Sequence, residues 1–148
     1  MRAVIQRVAE AGIKVSGKQI AKIGRGLVVL VGIGRDDNDD DILWLANKII
    51  NLRIFEDEAG KFNYSILDIK GEILLVSQFT LYGDCRKGRR PSFDYAMPPD
   101  KAKEMFTRLF NYLQTQNLKV QKGIFGAKMD VELVNSGPVT IILDSKQK

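Results

Sequence analysis

Apolar and polar positions alternate with period two from Met1 to Val8, setting Val4, Gln6 and Val8 against Ala3, Ile5 and Arg7, and this predicts a strand. Ile13–Val15 and Gln19–Ile23 predict two short strands around Ser16-Gly17-Lys18, a hairpin signal. Leu27–Val31 is an unbroken apolar run of strand length, expected to be buried on both faces. The period then changes. Ile42, Leu45, Ile49 and Leu52 recur at helical spacing behind the acidic run Asp36–Asp41. That run lacks the glycine and terminal glutamate of a calcium loop. It reads instead as a helix N-cap with carboxylates at the positive end of the helix dipole. Leu52–Glu56 predicts another strand, Asp57–Asn63 a glycine-containing turn, and Glu72–Leu81 a strand throughout. Pro98-Pro99 opens a second helix. Its core face is Ala102, Met105, Phe106, Leu109, Phe110 and Leu113, and it ends at Asn117. Val131–Leu143 reads as one apolar strand broken by Gly137-Pro138. The pattern predicts one α+β domain over residues 1–148: a curled, antiparallel-rich sheet or partial β-barrel with two main helices. Lys146-Gln147-Lys148 is expected to fray.

Composition narrows the chemistry more than it narrows the fold. The 148 residues are 45% hydrophobic and 28% charged, ordinary values for a globular chain with a real core. No apolar stretch approaches the ~20 residues needed to span a membrane. Met1-Arg2 leads directly into strand-like sequence, so no signal peptide is expected. A single cysteine, Cys85, excludes an internal disulfide and suits a reducing cytosol, so the expected location is cytoplasmic. Histidine is absent. That removes Ser-His-Asp and Cys-His nucleophiles, an imidazole base, and zinc sites built on His and Cys. No metal or cofactor is expected. Any catalysis must use hydroxyls, carboxylates, amides, lysines, backbone dipoles or the substrate itself. The net charge of +5 leans toward a polyanionic partner.

Two runs break local rules in ways that suggest chemistry. In Asn135-Ser136-Gly137-Pro138-Val139-Thr140, proline removes a ladder N–H, and glycine lets the backbone approach something closely. A hairpin turn that happens to use Gly-Pro is the plainer alternative. In Ser77-Gln78-Phe79-Thr80-Leu81, hydroxyl and amide groups cluster at the end of an apolar strand. A solvated strand edge explains this run equally well.

Together the two runs resemble signatures of the D-aminoacyl-tRNA deacylases, and the resemblance extends almost end to end. It includes Met1-Arg2-Ala3-Val4-Ile5-Gln6-Arg7-Val8 and Leu52-Arg53-Ile54-Phe55-Glu56-Asp57. It also includes Gly88-Arg89-Arg90-Pro91-Ser92-Phe93 and Gly123-Ile124-Phe125-Gly126-Ala127-Lys128-Met129. The resemblance implies hydrolysis of the ester linking a D-amino acid to the terminal adenosine of tRNA. It further implies a homodimer with two active sites at the interface and a cis Gly137-Pro138 peptide that reaches into the partner's pocket. Ser77, Gln78, Phe79 and Thr80 then become the expected catalytic segment. Gly137, Pro138, Val139 and Thr140 become the substrate-selecting segment, with Arg7 pinning the Gly-Pro loop. Phe125 and Met129 correspond to pocket-lining positions, although core packing is the competing reading for both.

Arg86, Lys87 and Arg89 lie in a basic loop close to the first signature, suited to phosphates near the tRNA acceptor end or simply to water. Two rival classes remain open. One is a thiol enzyme built on Cys85, which lacks a histidine partner. The other is an RNA-binding module without chemistry, for which no stacked-aromatic platform is evident.

Overall fold

The first strand accounts for most of the architecture. In the computed structural model, which describes residues 1–147, β1 runs unbroken over Arg2–Val15. The sequence pattern splits this stretch in two, but tertiary pairing joins it. On one side β1 pairs with β8 (Asp130–Asp144) along almost its full length. On the other side it pairs first with β3 (Gly26–Gly32) and then with β2 (Lys18–Ile23). Register shifts at Gln6/Val8, Val8/Glu10 and Ile13/Lys14 bend the strand, as bulges do. The β1–β2 hairpin turns on Ser16 and Gly17, both at positive φ, the backbone a two-residue hairpin loop requires.

Beyond β3 the sheet becomes parallel. β6 (Glu72–Ser77) pairs parallel with β3, and β7 (Lys119–Lys122) pairs parallel with β6. The crossovers between parallel strands carry α1 (Asp39–Asn51) and α2 (Pro99–Gln114). The path β2-β1-β3-β6-β7 curls until its two ends approach. The Gln121 side chain bridges them: its Oε1 accepts from the Lys22 N–H at 3.0 Å, and its Nε2 donates to the Lys22 carbonyl at 2.5 Å. A side-chain amide thus stands in for a missing ladder pair. A separate two-stranded ribbon, β4 (Phe55–Glu56) with β5 (Phe62–Tyr64), lies outside the main sheet. The strand expected over Leu52–Glu56 shrinks to these two residues.

Both faces of the sheet are covered. Ala3, Ile5, Leu27, Val29, Val31, Ile73 and Leu75 pack against Leu45, Ile49, Phe106 and Leu109 of the helices. The alternate residues Val8, Ile13, Ile23, Val28, Leu74 and Val76 fill the inside of the curl. A Leu, Ile or Val fully buried this way contributes about 1.5–3 kcal/mol. The apolar run of β3 therefore feeds two cores at once.

The acidic run behaves as an N-cap. Asn38 Oδ1 accepts from the Asp40 N–H and Asp41 Oδ2 from the Asn38 N–H, each at 2.9 Å, which closes a capping box. Asp37 pairs with the Met1 ammonium at 2.7 Å, and Lys146 Nζ reaches Asp41 at 2.8 Å and Asp37 at 3.3 Å. Lys146 is therefore held by two carboxylates rather than frayed. Lys148 lies outside the described residues. Burial works to raise the Asp41 pKa, but bonds from Lys146, Ser145 and the Asn38 N–H outweigh it and hold the carboxyl well below the usual range. Among the described residues no acidic, Cys or His cluster could hold a metal, and no helix is long and apolar enough to cross a membrane.

Candidate active site

The strand expected over Glu72–Leu81 ends at Ser77, and Phe79–Tyr82 wind into one turn of 3-10 helix. The last ladder bond is the Gln78 N–H to the Val31 carbonyl at 2.7 Å. The chain then folds back, with the Leu81 N–H on the Gln78 carbonyl at 3.2 Å and the Gly83 N–H on the Thr80 carbonyl at 2.9 Å. Apolar patterning cannot reveal such a turn, because what holds it lies far away in sequence. Tyr82 is buried, and its hydroxyl donates to Asp37 Oδ2 at 3.3 Å. Burial, with the Asp37 charge beside it, pushes the Tyr82 phenol pKa upward, so the hydroxyl stays a donor. Arg2 donates to the Leu81 carbonyl at 3.1 Å, and its guanidinium lies 4.6 Å from the Tyr82 ring centroid.

This turn presents a compact polar edge. Its first N–H groups, those of Phe79 and Thr80, have no acceptor within the turn. Gln78 Nε2 donates to Thr80 Oγ1. Phe79 is 57% exposed and meets the Phe93 ring edge-on at 5.0 Å.

The Gly-Pro step is neither a hairpin nor the end of a strand. The register passes from Gln6↔Thr140 to Val8↔Asn135, so the single residue Arg7 faces Ser136–Val139. The backbone bulges there and then resumes pairing with the same strand. The Gly137–Pro138 peptide is cis, and both residues are exposed. Asn135 staples the bulge: its Oδ1 accepts the Val139 N–H at 3.0 Å and its Nδ2 donates to Thr140 Oγ1 at 3.2 Å. Arg7 pins the bulge from below. Arg7 is only 7% exposed, and its Nε donates to the Ser136 carbonyl at 2.9 Å. Its Nη1 donates to the Ile54 carbonyl at 2.8 Å, and its Nη2 lies 3.3 Å from Glu56 Oε1.

One chain does not bring the two signatures to one reaction centre. Ser77 registers with Val31, whereas the bulge stands at the level of Arg7 and Leu27, about four residues away along β3 and across β1 and β3 from β6. At ~3.3 Å per residue and ~4.8 Å per strand, the separation is roughly 15–20 Å.

Phe125 and Met129 also diverge. Phe125 packs on Phe106 of α2 at 6.0 Å, and Met129 packs on the interior of the curl. In the basic loop, the Asp84 and Ser92 backbones bond to each other at the neck. Arg86 is committed to Asp84 through Nε at 2.9 Å and Nη2 at 2.6 Å. That guanidinium holds the Asp84 carboxyl down to about 2. No carboxylate among the described residues pairs with Lys87, Arg89 or Arg90. Sequence reasoning missed Arg2, Glu56 and the staple formed by Asn135. Only Asn135 carried a local signal, an Asx residue just before the Gly137-Pro138 step.

The polar turn and the main-chain bulge stand on a chain without histidine, so the groups they present are amides, hydroxyls and backbone. The family profile described as D-Tyr-tRNA(Tyr) deacylase matches residues 4–144. The D-aminoacyl-tRNA deacylase of Thermosipho africanus is 62% identical over 147 residues, covering 99% of each chain. That of Aquifex aeolicus is 56% identical with the same coverage. A solved structure of the c-Myc DNA Unwinding Element Binding Protein superposes with a TM-score of 0.93 at 44% identity, covering 98% of this chain and 99% of that one. A probable eukaryotic D-amino acid tRNA deacylase shares the fold with a TM-score of 0.84 at 19% identity, covering 96% and 97% of the two chains. The chain belongs to the D-Tyr-tRNA(Tyr) deacylase family, a family of hydrolases.

Proposed function

We propose that the protein hydrolyses the ester between a D-amino acid and the 3′-terminal adenosine of tRNA, rejects the L-ester, and so proofreads chirality in the cytoplasm. The observation that carries this reading is the Gly137–Pro138 bulge, an exposed stretch of main chain held by the buried Arg7 on one side and by Asn135 on the other.

A rigid main-chain wall suits selection at an α-carbon. Bulge carbonyls receive the α-ammonium group, and the wall leaves room for hydrogen, not a side chain, on one face. A D-residue points its side chain away, an L-residue collides, and glycine passes. The wall stands too far from its own chain's Thr80 to serve it. It therefore serves the Ser77–Thr80 turn of a second copy, in a homodimer with two sites at the interface. The outer edge of β8 supports this arrangement. It pairs with no other strand among the described residues and carries two exposed apolar side chains, Ile142 at 75% exposure and Val134 on the far side of the bulge.

At the polar turn, the Phe79 and Thr80 N–H groups and Gln78 hold the ester carbonyl oxygen as negative charge develops. Thr80 positions and does not attack. Its oxygen accepts a bond from the Gln78 amide, which cannot take a proton, and no base stands beside it. The 2′-hydroxyl of the terminal ribose, next to the scissile ester, assists instead. Lys87 and Arg89 contact acceptor-end phosphates, while Arg86 staples its own loop. Phe125 and Met129 are each half-buried against a different part of the core, and the part of each side chain left uncovered borders the pocket.

The test is deacylation of D-tyrosyl-tRNA beside L-tyrosyl-tRNA. Fast loss of the D-ester alone is expected. Equal background loss of both overturns the reading and favours an RNA-binding module. A trapped ester on Thr80 refutes the positioning role.

A further inference from the structure

Arg7 grows from β1, but its guanidinium is oriented by a different element. Besides the bond to the Ser136 carbonyl, the polar and ring partners of the guanidinium among the described residues come from the β4–β5 ribbon and the residue leading into it: the Ile54 carbonyl, the Glu56 carboxylate and the Phe62 ring, whose centroid lies 5.4 Å from Cζ. Glu56 and Phe62 are about half exposed, at 51% and 53%, so neither serves chiefly as core. The ribbon is stiffened independently of the main sheet. Phe55 is buried in the core. Asp57 accepts the Ala59 N–H at 2.9 Å, the Lys61 N–H at 3.0 Å and Asn63 Nδ2 at 3.1 Å. Arg53 Nε donates to the Asn63 carbonyl at 2.6 Å.

We propose that this ribbon is the positioning element of the selecting wall: Glu56 and Phe62 set the plane of the Arg7 guanidinium, and through the Ser136 carbonyl they set where Gly137–Pro138 stands. The proposal rests on the reading of Gly137–Pro138 given above. The coupling is mechanical and short. A guanidinium is a rigid planar fork, so tilting one end moves the other. Its Nη2 already lies 2.6 Å from where a Cβ at position 137 would sit. Without the carboxylate and the ring, the fork keeps its two carbonyl partners but loses the groups that fix its tilt. The wall then wanders, and selection by collision weakens before affinity does.

The test compares Glu56→Ala, Glu56→Gln, Phe62→Ala and the double alanine variant with the wild type. Amide hydrogen exchange at Val139 reads the bulge directly. kcat and KM on D- and L-tyrosyl-tRNA read selection, and urea unfolding confirms a folded chain. The double variant is expected to exchange faster at Val139 and to lose roughly three- to tenfold in the D-to-L ratio of kcat/KM, the scale of one partly exposed ionic contact. Glu56→Gln, which keeps an acceptor, is expected to return most of that loss. Unchanged exchange with an unchanged ratio in the double variant overturns the proposal. So does an equal fall on both esters with unchanged exchange, which marks a role in stability alone. A wild type without D-selective hydrolysis overturns the assigned function instead, and the exchange data still decide whether the ribbon holds the bulge.

Discussion

Adding one methyl group to the proposed selecting wall, Gly137→Ala, tests the proposed function most directly. Gly137 sits at φ +129°, a conformation L side chains rarely adopt, and forcing alanine into it costs about 1–3 kcal/mol. The new Cβ would stand 2.6 Å from Arg7 Nη2 and 2.9 Å from Val139 Cγ2. Arg7 cannot simply withdraw. It is buried, and moving it breaks charge-assisted bonds to the Ile54 and Ser136 carbonyls, worth about 1.5–3 kcal/mol each. The bulge therefore yields by about 2.5–6 kcal/mol in total if one such bond is lost. At about 1.4 kcal/mol per factor of ten, a wall displaced by that much loses roughly 60-fold or more in kcat/KM on D-tyrosyl-tRNA. The assay is single-turnover deacylation, run beside urea unfolding to show that the variant folds. A Gly137→Ala protein with wild-type kcat/KM and an unchanged unfolding midpoint would refute the reasoning.

Arg7→Lys keeps the charge but not the fork. It is expected to lower stability by about 1–3 kcal/mol in urea unfolding and to lower D-ester hydrolysis with it, since an ammonium cannot serve both carbonyls in the same geometry. In the basic loop, Lys87→Ala and Arg89→Ala should each reduce the slope of log tRNA affinity against log salt by about 0.7–0.9. Arg86→Ala, whose partner is Asp84, should leave that slope unchanged. Acid should destabilise the fold through Asp41. Its folded pKa lies below the unfolded value of 3.8, so as pH falls below about 4 the unfolded chain takes up the proton first and stability declines. Asp41→Asn should flatten the acid limb of a thermal-melting profile against pH; an unaltered limb would count against that ion-pair network.

The sequence by itself carried the two helices, the doubly buried β3, the hairpin at Ser16-Gly17, the capping role of the acidic run and both signature segments. Each is written in local terms: a period, a turn residue, a cap. The absence of histidine alone removed whole classes of mechanism. Tertiary structure decided what local terms cannot. β1 is one strand because two sides of the sheet pair with it across its apparent break. Phe79–Tyr82 leave the ladder because Asp37 and Arg2, distant in sequence, hold Tyr82 and Leu81. The Gly-Pro step is a bulge rather than a turn because the chain regains the same partner strand beyond it. Arg86, which the sequence leaves open between phosphate and water, pairs with Asp84 at 2.6 Å. Periodicity reports which way a side chain faces. Which group it meets there depends on chain segments tens of residues away, and only the folded chain brings Arg7, Glu56 and Ser136 together.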